Sequence, residues 1–241
     1  MRTKTLLLSA VALAAGILSS QAQSNVYSAN VVGYVSRTLY ANTNDLTAPT
    51  FAFVANHLDT GNNVLSNLLQ ALPINSRVLK WNPGTATFNT YTRSALFGGW
   101  SPSGSVTQTL NLGEAALVKL NSGNTTGFTN TFVGEVFQST EGSFTNVLLP
   151  GFTACSFPVP MSGVLVSNLL VGLNQALPAT PSGSRLQKWN ETTHAGYITF
   201  TRNLLPAGWS PSVPTVNPGE GFFIFNAGST NRLWVINFTV Q

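Results

Sequence analysis

The chain has 241 residues, of which eleven are Lys or Arg and seven are Asp or Glu, for a formal net charge of +4. Charged residues make up only 7% of it, far from the basic footprint that a phosphate backbone demands, so nucleic acid is not an expected partner. A single cysteine, Cys155, excludes an intrachain disulfide, and stability in an oxidising compartment then has to come from buried apolar surface, which a chain of this length can supply.

The N-terminus carries Arg2 and Lys4, then an apolar run over 6–17, then Ser20-Gln21-Ala22. A basic start, an apolar stretch and a small-residue end make residues 1–22 a secretory signal peptide, with cleavage expected after Ala22. As a membrane span the run is too short, since twelve helical residues cover about 18 Å of a core about 30 Å thick. Loss of Arg2 and Lys4 leaves nine basic residues against seven acidic ones, a net charge of +2. No second run of spanning length follows, so the exported chain is expected in the periplasm, on the cell surface or outside the cell, without stable membrane insertion.

Beyond the signal, short runs alternate apolar and polar residues with period two and are bounded by Gly, Pro, Asn and Ser, which is the pattern of half-buried strands. The first half predicts strands over 30–37, 50–56, 77–81, 87–93, 115–120 and 129–136, with counterparts in the second. Two stretches break the alternation. Residues 62–72 and 163–177 place apolar residues at helical spacing, the second through Leu165, Leu169, Leu173 and Leu177. These predict short helices with Thr60 and Ser162 as candidate N-caps, ended near Pro73 and Pro178.

The halves also repeat one another. Val32-Gly33 and Val133-Gly134 are 101 residues apart, as are Phe51 and Phe152, and Ser66-Asn67-Leu68-Leu69 and Ser167-Asn168-Leu169-Leu170. The spacing then lengthens: Lys80-Trp81-Asn82 matches Lys188-Trp189-Asn190 at 108, and Gly99-Trp100-Ser101-Pro102 matches Gly208-Trp209-Ser210-Pro211 at 109, before Gly113-Glu114 matches Gly219-Glu220 at 106. The expected fold is therefore all-β, mainly β with one short helix per repeat: two tandem pseudo-repeat units, residues 23–134 and 135–241, each a small sandwich or partly open barrel. Phe132 matches Phe238 as the close of a unit while Val133-Gly134 matches Val32-Gly33 as the opening of one. One strand is thus expected to serve both units, which then pack end to end or share a sheet.

The segment Val26-Tyr27-Ser28-Ala29-Asn30-Val31-Val32-Gly33-Tyr34-Val35, the Lys-Trp-Asn strands, the Gly-Trp-Ser-Pro turns and Asn217-Pro218-Gly219-Glu220-Gly221-Phe222-Phe223 together resemble exported tandem-repeat proteins of planctomycete and verrucomicrobial bacteria. The resemblance covers almost the whole exported chain. It implies a Gram-negative exported protein and brings no activity with it. The first copy departs from the pattern, with Ala115-Ala116 where the second has Gly221-Phe222, so a site there is expected to be weaker.

Catalytic raw material is scarce. His57 and His194 do not match between the copies and have no metal-ligand spacing, so each is read as a surface or loop histidine. No Gly-x-Ser-x-Gly elbow, phosphate loop or Gly-x-Gly-x-x-Gly is present, and no cofactor or metal is expected. Cys155 aligns with Val54 and is read as a core position rather than a reactive thiol. Arg77, Lys80, Arg93 and Glu114 recur as Arg185, Lys188, Arg202 and Glu220. Glu114 and Glu220 are candidate twin ligand-binding carboxylates. The preferred reading makes each a turn residue that accepts hydrogen bonds from turn amides or from the arginine of its own unit.

Aromatics carry the one binding hypothesis with a mechanism. An indole presented by the Gly-Trp-Ser-Pro turns, Trp100 or Trp209, would stack on a sugar ring if exposed and would plug a core if buried. Trp81 and Trp189, inside strands, are expected in the core. The alternating end over 234–240 resembles the last strand of an outer-membrane barrel, but thirteen prolines and a terminal Gln241 suit that architecture poorly.

Three functions follow in order of preference: a noncatalytic surface or extracellular-matrix protein that binds envelope components or copies of itself; a glycan-binding module using Trp100 and Trp209; and, last, an enzyme in which His194 or Cys155 meets a carboxylate in a cleft.

Overall fold

A computed structural model describes residues 31–41, 50–96, 99–103, 107–121, 126–139, 142–161, 164–165, 182–204 and 207–237. The signal peptide, most of the second predicted helix and the last four residues lie outside these.

Every pairing between the described strands is antiparallel. In the first half β2 (Phe51–Ala55), β4 (Arg77–Asn82), β5 (Thr87–Arg93), β6 (Trp100–Ser101) and β7 (Ala115–Lys119) form a five-stranded sheet in the order β2-β7-β4-β5-β6. In the second half β10 (Gly151–Cys155), β12 (Arg185–Trp189), β13 (Tyr197–Leu204), β14 (Ala207–Ser210) and β16 (Phe222–Asn226) form another in the order β10-β16-β12-β13-β14. Strands whose sequences match across the halves hold the same places in the two sheets.

Each sheet is covered on one face by smaller elements. Strands β1 (Val32–Leu39), β3 (Leu58–Asp59) and β8 (Phe128–Val136) form a sheet in the order β1-β8-β3 over the first. Strands β9 (Ser143–Leu148) and β17 (Arg232–Asn237) pair over the second, and β11 (Val164–Leu165) pairs with β15 (Thr215–Val216). Val35, Leu39, Leu58 and Phe132 pack on Ala52, Val54, Val78, Ala116 and Val118 to make the first core. Leu148, Trp234 and Ile236 meet Cys155, Leu186, Phe222 and Ile224 in the second. Each half is thus a β-sandwich, and the fold is all-β with one short helix among the described residues.

The other faces of the five-stranded sheets meet each other. Phe51, Phe53, Ala55, Ala115, Leu117 and Trp81 point away from the first core and pack on Phe152, Ala154, Trp189 and Phe223. This explains why Phe-Ala-Phe-Val-Ala and Ala-Ala-Leu-Val read as unbroken apolar runs: period two puts alternate residues on opposite faces, and both faces are buried. The contacts are reciprocal. The Phe51 and Trp189 rings lie 5.3 Å apart, and their sequence counterparts Phe152 and Trp81 lie 6.5 Å apart.

Three expectations need correction. Helix α1 spans Leu65–Leu68, not 62–72. Val64 is extended and bridged to Thr109, and Asn63 takes a positive φ, so helix cannot begin earlier. Thr60 is accordingly not an N-cap; its hydroxyl accepts from the Asn63 amide in a turn, at 3.1 Å. In the second half Val164 and Leu165 are likewise strand, held by β15. Second, among the described residues no strand pairs with strands of both halves. Strand β8 pairs with β1 and β3, both of the first half, and continues past Gly134 to Val136, while the second half has its own pair in β9 and β17.

Third, the two Val-Gly dipeptides are partners and not equivalent openings: Gly33 sits directly opposite Gly134 in the β1–β8 ladder. A Cβ on Gly134 would come within 2.6 Å of the Asp59 carbonyl oxygen, so glycine there lets β3 close on the strand.

Candidate functional site

Asn111-Leu112-Gly113-Glu114 and Asn217-Pro218-Gly219-Glu220 each turn with glycine in the left-handed region, at φ of 77° and 78°. In both turns the glutamate reaches back to the amide that opens it. Glu114 Oε2 accepts from Asn111 N–H at 2.9 Å, and Glu220 Oε2 from Asn217 N–H at 3.0 Å. The lysine of the central strand closes each arrangement. Lys80 Nζ donates to Glu114 at 3.1 Å and to the Thr109 carbonyl, and Lys188 Nζ lies 2.7 Å from Glu220 and donates to the Thr215 carbonyl at 2.7 Å. The partner of each glutamate is thus the lysine of its own half and not an arginine.

The same turns tie the halves together. Gly219 O accepts from Ala55 N–H at 3.0 Å, and Gly113 O accepts from Ser156 N–H at 2.9 Å, a reciprocal pair of hydrogen bonds between halves. A third tie is an ion pair: Arg37 on β1 pairs with Glu191, in the turn after β12, and its Nε donates to Phe53 O at 3.2 Å. Burial raises the Glu191 pKa, while Arg37 draws it back. That pair falls outside the set of recurring charges, so repetition gave no signal for it. Ionisable groups at the junction therefore hold turns and chain segments in place.

The Ala115/Gly221 difference between the copies has a packing cause. A Cβ on Gly221 would lie 2.3 Å from the Ala115 Cβ. The two equivalent positions face each other across the interface, and only one has room for a methyl group.

Trp100 is 1% exposed and fills the first core, so it presents no ring to a ligand. Arg93 spans its turn, donating to Gly99 O at 2.6 Å with the guanidinium 6.0 Å from the indole centroid. Trp209 is half-buried against the second core. The two indoles thus belong to separate cores and share no groove. Trp81 and Trp189 lie between the sheets, and Trp81 Nε1 donates to Phe152 O at 2.8 Å.

His57 is not a surface residue; it is 1% exposed, with Nδ1 2.6 Å from Phe157 O of the other half. Burial lowers its pKa to about 4. Cys155 is fully buried in the second core, where burial pushes its thiol pKa up and leaves an inert thiol. His194 occupies a turn with φ of 50°. No group of three His, Cys, Asp or Glu side chains that could hold a metal occurs among the described residues.

The chain matches no protein-family model, no curated protein and no solved structure.

An accessible concave surface lies elsewhere. Strand β3 reaches only Glu135 and Val136 of β8, so beyond it the flank of β8 is left to α1, which Asn130 bridges by donating to Leu68 O at 3.0 Å. Between them runs an open groove of about 550 Å³ lined by Asn67, Leu68, Gln70, Ala71, Thr129, Asn130 and Thr131. Thr129 and Thr131 point outward and continue onto the β1–β8 surface, each hydroxyl 2.9 Å from that of Thr38 or Ser36 opposite.

Proposed function

We propose that this protein is an exported, noncatalytic scaffold of the cell surface or extracellular matrix, built from two diverged copies of one β unit fused face to face. One observation carries the reading: Lys80-Glu114 and Lys188-Glu220, the recurring ion pairs, both clamp turns whose glycine carbonyls bond the opposite half. Charges that recur with their scaffold are then explained by holding it, and Cys155, one of the two side chains on which an enzyme reading would depend, is closed from solvent. The basic and apolar N-terminus and the resemblance to exported repeat proteins support the compartment. No helix among the described residues is long and apolar enough to cross a membrane, which fits attachment through partners such as envelope components or further copies of the chain.

The test is fractionation of cells that produce the full chain, with protease shaving of intact cells and N-terminal sequencing of the product. Expected is a chain beginning at Gln23 in the envelope or medium. Recovery of the uncut chain in the cytoplasm overturns the proposal.

A further inference from the structure

We infer that the groove between α1 and β8, with the outward face of β1 and β8 beside it, binds a neutral polysaccharide. The ladder register sets four rungs on that face in order: Thr38 opposite Thr129, Ser36 opposite Thr131, Tyr34 opposite Val133, and Val32 opposite Glu135. Tyr34 is 79% exposed and Val133 59%. A ring and a methyl-bearing side chain thus stand on the surface next to two rungs of hydroxyls, and the hydroxyls lead into a groove whose lining joins the Asn67 and Gln70 amides to the aliphatic Leu68 and Ala71.

A sugar ring needs this combination, because its C–H faces want an aromatic or aliphatic surface while its rim of hydroxyls wants donors and acceptors together. Each hydroxyl is both donor and acceptor, and the amides of Asn67 and Gln70 offer one of each. The cross-strand pairs fix the hydroxyl oxygens before any ligand arrives. Within each pair one proton is shared and the other stays available, so ordering them adds little cost to binding.

The surroundings decide the charge of the ligand. The groove is lined by amide, hydroxyl and aliphatic groups, so it offers an ionic polymer no counter-charge. These residues are separate from the Lys-Glu clamps, so failure of either proposal leaves the other standing.

The purified chain is run in affinity gels containing β-1,3-glucan, xylan, mannan or hydroxyethyl cellulose, with alginate as the acidic contrast. Expected is retardation in at least one neutral gel and none in alginate. Tyr34→Ala and the double variant Thr129→Val with Thr131→Val should each weaken binding about tenfold at an unchanged melting temperature, which is what losing one good contact does. Tyr34→Phe, which keeps the ring, and Thr131→Ser, which keeps the hydroxyl, should bind as the parent does. Migration unaffected by every neutral polysaccharide, equal retardation in alginate, or parental binding by the Tyr34 and threonine variants overturns the inference.

Discussion

Burial of His57 at 1% exposure keeps the imidazole neutral, and the Phe157 carbonyl oxygen, which can only accept, puts its proton on Nδ1 while offsetting part of the effect of burial. Its pKa falls from 6.5 to about 4, so the unfolded chain takes up a proton in a range where the folded chain does not. The stability this residue contributes is complete above pH 6.5, is lost as pH falls towards 4, and amounts to about 3 kcal/mol. Glu191 acts with the opposite sign, because its raised pKa makes the folded state hold a proton more readily in acid. The difference between proteins therefore isolates the histidine. Urea midpoints measured from pH 7 to pH 4 should fall more steeply for the parent than for His57→Gln, and parallel profiles would show that the imidazole is not held neutral.

At the level of elements, the two Lys-Glu clamps share one design but not one environment. The Glu220 side chain is 10% exposed and that of Glu114 41%. A carboxylate removed from water and bonded to both an ammonium and a turn amide loses more on neutralisation than one that water can still solvate. Glu220→Gln should cost about 1–3 kcal/mol, and Glu114→Gln less than about 1 kcal/mol. Urea denaturation at low salt checks the order, since guanidinium salt would screen both pairs. Equal losses would mean that the exposure difference is immaterial. Element length follows similar local rules. The leucines at 65, 68, 69 and 72 are spaced for a helix and all are buried, yet the Val64 bridge and the Thr60–Asn63 turn take the residues that would have begun it.

For the molecule as a whole, the aromatic layer between the sheets makes the halves one folding unit. Phe223 alone meets Phe53, Trp81, Phe88, Phe152 and Tyr197. Gly221 and Ala115 probe that layer directly. Gly221→Ala drives two methyl groups together and should cost about 1–3 kcal/mol, as overpacking does. Adding Ala115→Gly moves the methyl to the other side of the same contact and should restore much of the loss, giving a coupling that a double-mutant cycle measures. Thermal melts followed by tryptophan fluorescence and by far-ultraviolet circular dichroism should coincide for all of these proteins. Additive costs at the two positions would place the methyl contact elsewhere.

By itself the amino-acid sequence placed the six strands it named in the first half to within about two residues, because alternation is a local property that burial of a sheet face imposes on each strand separately, and it missed the short strands such as β3 and β6. It also marked the positions that repeat, and so the residues of both Lys-Glu clamps. Only the tertiary structure decided which face each side chain meets. Trp100 turned inward, His57 was closed over by Phe157, Gly33 met Gly134, and the sheets met through faces that alternation alone leaves unassigned. The candidate groove was equally illegible, since it depends on β3 ending after two residues and leaving α1 beside β8. Such outcomes depend on contacts between residues some 100 positions apart, as His57 and Phe157 are, and no window along the chain contains both partners.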